Sequence, residues 1–161
     1  MIELKRNEEI AENYRLLGAA ITEHLADEPD LIANLANISS MIRYSLPHVN
    51  WAGFYLLQGD TLVLGPFCGK PACTRITLDR GVVGYTARKG EIVIVPNVHE
   101  FDGYITCDPA TNSQMVSPLY KNGELFGVLD LDSPVFDRFT QDDAAGLAEI
   151  VKSIHEFLER C

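Results

Sequence analysis

The sequence predicts an α+β domain in which helices at both ends of the chain flank a run of mostly antiparallel strands. Near both ends, apolar residues recur every three or four positions, as in amphipathic helices, whereas in the middle they alternate with a period of two, as in strands. Asn122-Gly123 between two strand-like runs is a strong hairpin signal. The 161 residues are enough for one domain with its own core, so a single domain, 1–161, is expected.

Two helices are predicted before the first strand. The first spans about residues 7–26, and its apolar face carries Ile10, Tyr14, Leu17, Ile21 and Leu25. The second begins within residues 27–30, where an aspartate can cap a helix and a proline fits its first turn. Its apolar spacing continues to Leu46, and Pro47 ends it.

Six strands are predicted in the middle of the chain, at residues 50–57, 61–67, 73–78, 92–95, 115–120 and 124–132. A short helix over about 81–90 separates the third strand from the fourth. A closing helix follows Thr140, whose spacing to Asp143 resembles a capping box, and runs to about Glu159 with one apolar face.

The charge and hydropathy of the chain exclude several kinds of partner. With 13 basic and 23 acidic side chains, the net charge of −10 repels nucleic acid and anionic membranes. The N-terminus lacks the apolar run of a signal peptide, and no stretch approaches the ~20 apolar residues of a membrane span. The protein is therefore expected to be cytoplasmic, where its four cysteines are kept reduced.

The stretch 102–114 contains the strongest candidate for a reactive residue, Cys107. It is rich in residues that form turns, among them Gly103, Pro109 and Asn112. A loop of this length in a compact chain is typical of a lid or binding loop. A buried, inert cysteine is the alternative interpretation.

Asp130 and Asp132 lie two residues apart in the last predicted strand, which places them on one face together with Phe126 and Val128. Two like charges about 7 Å apart on a partly apolar face are unfavourable unless a cation, a proton or water compensates them. The pattern is compatible with a solvated sheet edge. The more specific interpretation is a site for an ammonium group or for a catalytic proton.

Trp51 and Tyr55 share one face of the first predicted strand. Such a pair serves equally as part of a hydrophobic core or as the wall of a pocket for an apolar or sulfur-bearing ligand. The residues alone leave both interpretations open.

A metal site is the weaker interpretation of the cysteines. Zinc sites use a close pair of cysteines, usually two to four residues apart, and the nearest pair here is spaced five apart. We therefore predict no metal site, although four side chains were candidates for one: Cys68, Cys73, His99 and Cys107.

Short motifs from residue 50 to the last helix, taken in order, resemble the free methionine-(R)-sulfoxide reductases, which are single GAF domains. The motifs are Trp51-Ala-Gly-Phe-Tyr55, Leu64-Gly-Pro-Phe67, Gly69-Lys-Pro-Ala-Cys-Thr-Arg-Ile76, Arg80-Gly-Val82, Asn97-Val-His99, Phe101-Asp-Gly103, Cys107-Asp108, Asn112-Ser113 and Gly127-Val-Leu-Asp-Leu-Asp-Ser133. The resemblance implies a six-stranded antiparallel sheet with the N- and C-terminal helices on one face. It also implies a ligand pocket on the other face under the Cys107 loop, and a homodimer formed through the helices.

The resemblance further implies roles for individual residues. Cys107 matches the catalytic cysteine and Cys73 a resolving cysteine, with Asp132 a candidate proton donor. The thiolate reduces free methionine-(R)-sulfoxide, and the sulfenic acid so formed closes a disulfide that thioredoxin reopens, with no bound cofactor. The positions that match the substrate pocket are Trp51, Tyr55, Gln114, Asp130 and Asp132.

Two positions depart from the family pattern. Val83 stands where members commonly have a third cysteine, which leaves Cys73 as the resolving thiol and Cys68 as a possible reserve. Gln114 stands where members commonly have a glutamate, and an amide cannot share a proton with Asp132. A reduced rate or an altered substrate preference is therefore conceivable from the sequence.

The competing hypothesis is a GAF module that binds a small ligand or senses redox state without turnover. The change at Gln114 is compatible with this hypothesis. The retained pair of Cys73 and Cys107 favours the enzyme, because a module that only binds a ligand has no need of a loop cysteine with a resolving partner.

Overall fold

The computed structural model of the protein describes residues 2–161, with side chains from Arg6 onward. Within these residues, the predicted α+β plan is confirmed, with four α-helices and a sheet of six strands. The helices are α1 (Ile2–Asp27), α2 (Leu31–Ser45), α3 (Gly81–Lys89) and α4 (Gln141–Glu159). The strands are β1 (Trp51–Gln58), β2 (Thr61–Cys68), β3 (Arg75–Thr77), β4 (Val93–Val95), β5 (Ser113–Lys121) and β6 (Glu124–Ser133).

The ends of the helices follow the capping signals in the sequence. Asp30 caps α2, because its side chain accepts a hydrogen bond from the backbone N–H of Ala33 at 2.8 Å. Thr140 and Asp143 form the predicted capping box at the start of α4. These caps satisfy N–H groups that a helix cannot pair internally.

The sheet separates the molecule into a helix side and a cavity side. Its strand order is β3-β2-β1-β6-β5-β4, and every neighbouring pair is antiparallel. Side chains of α1, α2 and α4 pack on one face against alternate strand residues such as Phe54 and Leu131. The other face packs against α3 and forms a second cluster that includes Trp51, Tyr55 and Val128.

Strand β6 departs from strict alternation at Phe126. The pairing of β5 with β6 skips one residue between Leu125 and Gly127, so Phe126 is the extra residue of a β-bulge. Phe126 packs against the helix-side core. The expectation that Phe126 shares a face with Asp130 and Asp132 is therefore wrong, because the bulge shifts the alternation by one residue.

The chain over the cavity side contains less regular structure than the sequence predicts. Strand β3 has three residues where six were predicted, and the residues before it form a loop that contains Cys73. A short 3-10 helix, Val98–Glu100, precedes the Cys107 loop and was not predicted. Asn97 caps this helix by accepting the N–H of His99 at 3.0 Å.

A buried ion pair holds the start of α4 to the rest of the fold. Arg138 donates to both carboxylate oxygens of Asp143, at 3.0 and 3.1 Å, and also to the backbone oxygen of Pro47 at 2.8 Å. Tyr14 of α1 donates to the same carboxylate at 2.9 Å. Because Asp143 is fully buried, each of these bonds compensates a charge that has lost its water.

We predict that Arg138→Met lowers the free energy of unfolding by ~3 kcal/mol, because it leaves the carboxylate of Asp143 buried without its counter-charge. Urea unfolding measures the change. Arg15→Met is the matched control, since Arg15 and Glu12 form an exposed ion pair, and it should leave the unfolding midpoint unchanged. Equal effects of the two substitutions would contradict the importance of the buried pair.

Candidate active site

A small cavity of about 50 Å³ lies between the sheet and the loop 102–114. Six of the residues singled out in the sequence line it, and they come from three strands and the loop: Trp51, Tyr55, Cys107, Gln114, Asp130 and Asp132. The period of two explains the contribution of the strands, because alternate residues of β1 and β6 face this side. Val83, at the position of the absent cysteine, also lines the cavity and is buried.

Cys107 and Cys73 form a disulfide, with their Cα atoms 5.5 Å apart. The bond joins the loop over the cavity to the loop that connects β2 with β3. Both residues are half-buried. The two cysteines that the sequence singles out as a reactive pair are therefore close enough to exchange a disulfide without rearrangement of the sheet.

Cys68 has a different position. It is a free, half-buried cysteine at the end of β2, where it pairs with Ala52 of β1. Ala52 belongs to the helix-side core, and paired residues of neighbouring strands point to the same face. The register thus directs Cys68 away from the face on which Cys107 lies.

Asp130 and Asp132 lie in the middle of the sheet and both line the cavity. Asp130 is buried, whereas Asp132 is half-buried with its Oδ1 shielded from solvent. Burial raises the pKa of Asp130 to about 6, although hydrogen bonds from Gln114 and Asp132 oppose the shift. The pKa of Asp132 is raised well above its ordinary value, mainly by burial and then by the charge of Asp130. Of the two groups, Asp132 therefore holds its proton more tightly, and the negative charge is favoured on Asp130.

Gln114 selects this arrangement of charge. It lies opposite Asp132 in the pairing of β5 with β6, and its Nε2 donates to Oδ1 of Asp130 at 2.8 Å. The bond stabilises the ionised form of Asp130. Among the described residues, Oε1 of Gln114 and Oδ1 of Asp132 are buried without a hydrogen-bond partner. Unpaired buried oxygens beside a cavity are typical of a site that receives a polar ligand.

Trp51 and Tyr55 belong both to the core and to the wall of the cavity. Their rings are stacked with centroids 6.1 Å apart, and both side chains are buried. Trp51 Nε1 donates to the backbone oxygen of Lys70 at 3.0 Å, and the Tyr55 hydroxyl donates to that of Cys73 at 2.9 Å. The two rings thus hold the loop that carries Cys73 and present an apolar surface to the cavity.

Sequence reasoning missed three residues of the loop that line the cavity, namely Tyr104, Ile105 and Thr111. Ile105 packs on Gly81 at the start of α3, where a β-carbon would lie only 3.0 Å from its Cδ1. Gly81 also has a φ of +67°, which glycine adopts without strain. The sequence signal that could have identified Tyr104 and Ile105 was the presence of an aromatic and an aliphatic residue within an otherwise turn-forming stretch.

His99, a candidate metal ligand from the sequence, lies beside the loop and not in the cavity. Its Nε2 is 2.8 Å from Oδ1 of Asn112, which joins the residues at the two ends of the loop. Over the described part of the chain, no group of three or more His, Cys, Asp and Glu side chains is arranged to hold a metal ion. None of the helices described has the length and apolarity needed to cross a membrane.

A protein-family model for the GAF domain matches residues 30–155. The chain is also similar to the free methionine-R-sulfoxide reductase of Escherichia coli strain K12. The two are 46% identical over 147 residues, which cover 91% of this chain and 89% of the relative.

Two solved structures resemble the fold closely. One is the free methionine-R-sulfoxide reductase of Neisseria meningitidis in complex with its substrate, with 38% identity, a TM-score of 0.89 and coverage of 93% of this chain and 92% of that one. The other is the reduced form of the Staphylococcus aureus fRMsr, with 41% identity, a TM-score of 0.87 and coverage of 91% and 95%.

The raised pKa of Asp132 predicts a cost in stability that depends on pH. Since the folded carboxyl group binds its proton more tightly than the unfolded one, the free energy of unfolding falls as pH rises from ~4 through the raised pKa. Asp132→Asn removes this loss and should stabilise the protein clearly at pH 8 but by little at pH 4. Urea unfolding without reductant measures both values, and an equal difference at the two pH values would contradict the assignment.

Proposed function

The chain belongs to the free methionine-R-sulfoxide reductase family, whose fold is the GAF domain, and we propose that it reduces free L-methionine-(R)-sulfoxide to L-methionine. In this proposal residues 1–161 act as one domain, an L-methionine (R)-S-oxide reductase. The observation that carries the proposal is one cavity that brings Cys107 together with two carboxyl groups of raised pKa.

The reaction proceeds by transfer of the sulfoxide oxygen to Cys107. The thiolate of Cys107 attacks the sulfoxide, the sulfur-oxygen bond of the substrate breaks, and Asp132 supplies one proton. The products are methionine and a sulfenic acid on Cys107. The thiol of Cys73 then attacks the sulfenic sulfur, water leaves and a disulfide forms. The two thiols supply the two electrons that the sulfoxide gains.

Asp132 is the proton donor in this proposal because it combines burial with a charged neighbour. Both features raise the pKa of its carboxyl group, so that it holds its proton at a pH where an ordinary aspartate is already ionised. The bond from Gln114 to Asp130 supports the same assignment, since it leaves the negative charge on Asp130 and the proton on Asp132. Gln114 therefore retains a role in the site, although its amide group does not ionise and cannot supply an acidic proton.

We assign recognition of the free amino acid to the ionised Asp130 and to the aromatic side chains in the cavity wall. The ionised Asp130 is a partner for the substrate ammonium group, and Trp51 and Tyr55 contact the apolar chain around the sulfur. A peptide-bound methionine sulfoxide has no free ammonium group at this position. It should therefore be a poor substrate.

Regeneration is assigned to thioredoxin, which reopens the disulfide between Cys73 and Cys107. The cavity of about 50 Å³ in the disulfide-bonded state accommodates a few water molecules, well short of an amino acid. This size supports an order in which methionine leaves before the disulfide closes and a new substrate enters after it is reduced. A cytoplasmic location, where thiols are kept reduced, follows from this dependence on reductant.

A homodimer formed through α1 and α4 is the assembly we propose. A mostly apolar groove of about 800 Å³ runs between these helices and contains the small residues Gly18, Ala19 and Gly146. Small residues allow a second copy of the same helices to approach closely. Sedimentation equilibrium measures the mass of the particle in solution.

We predict that Cys107→Ser abolishes the formation of methionine from free (R)-sulfoxide in the presence of thioredoxin, thioredoxin reductase and NADPH. A serine hydroxyl cannot take up the sulfoxide oxygen and then be regenerated by a reductant, as a thiol can. The variant should keep the fold, since it replaces one sulfur atom by oxygen at a half-buried position. Chromatographic detection of methionine measures the activity, and the (S) epimer and N-acetylated (R)-sulfoxide serve as control substrates.

Activity of the wild type on the free (R)-sulfoxide with little on either control supports the proposed function. Full activity of the Cys107→Ser variant would overturn the proposed mechanism. If the wild type binds the sulfoxide without turnover, the protein is a binding module of the GAF family.

Cys73→Ser tests the resolving step. The variant should complete one turnover and then stop with thioredoxin as the reductant, because the sulfenic acid on Cys107 has no neighbouring thiol. Peptide mapping by mass spectrometry should find the bridge between Cys73 and Cys107 in the wild type. Normal multiple turnover of the variant, with a bridge between Cys68 and Cys107, would instead give the resolving role to Cys68.

A further inference from the structure

The proposed reduction requires hydrogen-bond donors at the sulfoxide oxygen, because this oxygen gains negative charge as the bond to Cys107 forms. Most donors that line the cavity already have other partners. The indole N–H of Trp51 is bound to Lys70, and the hydroxyl of Tyr55 is bound to Cys73.

One N–H of the Gln114 amide is committed, because its Nε2 donates to Asp130 at 2.8 Å. The second N–H of Nε2 can still donate, whereas Oε1 of Gln114 is an unpaired acceptor and cannot. A protonated Asp132 has a single O–H, which it gives either to Asp130 or to the substrate. The other side-chain hydroxyl donors that line the cavity, Tyr104 and Thr111, lie on the loop.

Tyr104 is the loop residue whose position fits this requirement. It lines the cavity together with Cys107 and Asp132, and it also lines the groove on the outer side of the loop. Its side chain thus forms part of the wall between the site and solvent. The ring is held in place by an edge contact with His99, with centroids 6.3 Å apart, and the backbone N–H of Tyr104 donates to Phe101 at 3.2 Å.

The hydroxyl of Tyr104 remains protonated at neutral pH. Burial, followed by the charges of Asp132 and Asp130, raises the pKa of Tyr104 to about 12, while a hydrogen bond with Thr111 lowers it. The hydroxyl therefore keeps a proton that it can donate.

We propose that Tyr104 is a further catalytic residue, whose hydroxyl donates to the sulfoxide oxygen beside Asp132. This inference rests on the proposed function. Proton transfer remains with Asp132, because the Tyr104 hydroxyl stabilises the developing charge without ionising.

Tyr104→Phe tests the inference, since it removes the hydroxyl and keeps the ring. In enzyme with both cysteines intact, kcat for the free (R)-sulfoxide should fall about 100-fold, as for other donors to a developing oxyanion. The Tyr85→Phe variant is the matched control. Tyr85 lines the outer groove and contacts Phe101 with its ring edge, and its loss of a hydroxyl should leave kcat unchanged.

Binding measurements distinguish a contact between Tyr104 and the sulfoxide oxygen from a general role of Tyr104 in shaping the cavity wall. In a Cys107→Ser background, calorimetry compares the (R)-sulfoxide with methionine, which lacks that oxygen. Tyr104→Phe should weaken the binding of the sulfoxide about 10-fold. Binding of methionine should stay within about twofold, which also shows that the site is folded.

Equal weakening of both ligands, or an unchanged kcat, would overturn the role of Tyr104. These outcomes are distinguishable from a failure of the proposed function. If the proposed function fails, the wild type itself does not reduce the sulfoxide, whereas an error about Tyr104 leaves the wild type active and the phenylalanine variant equally active.

Discussion

The placement of two carboxyl groups on the same face of β6 is the constraint on which the rest of the site depends. β6 lies between β1 and β5 in the interior of the sheet, where Asp130 is buried, Asp132 is half-buried, and neither has a cation as a partner among the described residues. The loss of water raises the pKa of both groups, so that the pair retains a proton to a higher pH than ordinary aspartates do. The proposed acid at Asp132 therefore results from a position that is unfavourable for folding.

The loop covers the cavity that the two carboxyl groups line. Ile105 seats the loop on Gly81, and His99 links its two ends through Asn112. The disulfide between Cys73 and Cys107 closes the same loop onto the strand side of the cavity. In the proposed cycle, the redox state of the cysteines therefore also controls access to Asp132, because the loop that carries Cys107 is the same loop that covers the cavity.

The sequence was sufficient for the fold and for most of the candidate site, because both depend on local patterns. Helical spacing located α1, α2 and α4, and capping signals marked the starts of α2 and α4. A period of two located the cavity-facing residues of β1 and β6. The turn-forming residues around Cys107 marked the loop. The pairing of this cysteine with Cys73 came from the resemblance to a family, not from the pattern alone.

What the sequence could not supply depends on contacts between distant residues. The bulge at Phe126 arises from the register of two strands, which no single strand encodes. In the sequence, glutamine in place of glutamate at position 114 resembles a simple loss of an acid. In the structure, Gln114 donates a hydrogen bond to Asp130 and so supports the charge on that carboxylate. The sequence did not identify Tyr104, because its environment is determined by carboxylates on β6 and by the fold of the loop.

The central claim is that Asp132 holds a proton at neutral pH in the reduced protein, and carboxyl ¹³C NMR of aspartate-labelled protein tests it most directly. The resonance of Asp132, assigned by its loss in Asp132→Asn, should remain that of a carboxylic acid through the range near pH 4 where ordinary aspartates ionise. It should change to that of a carboxylate only at much higher pH. Titration of Asp132 near pH 4 would contradict the account, since the site would then contain two ionised carboxylates and no acid.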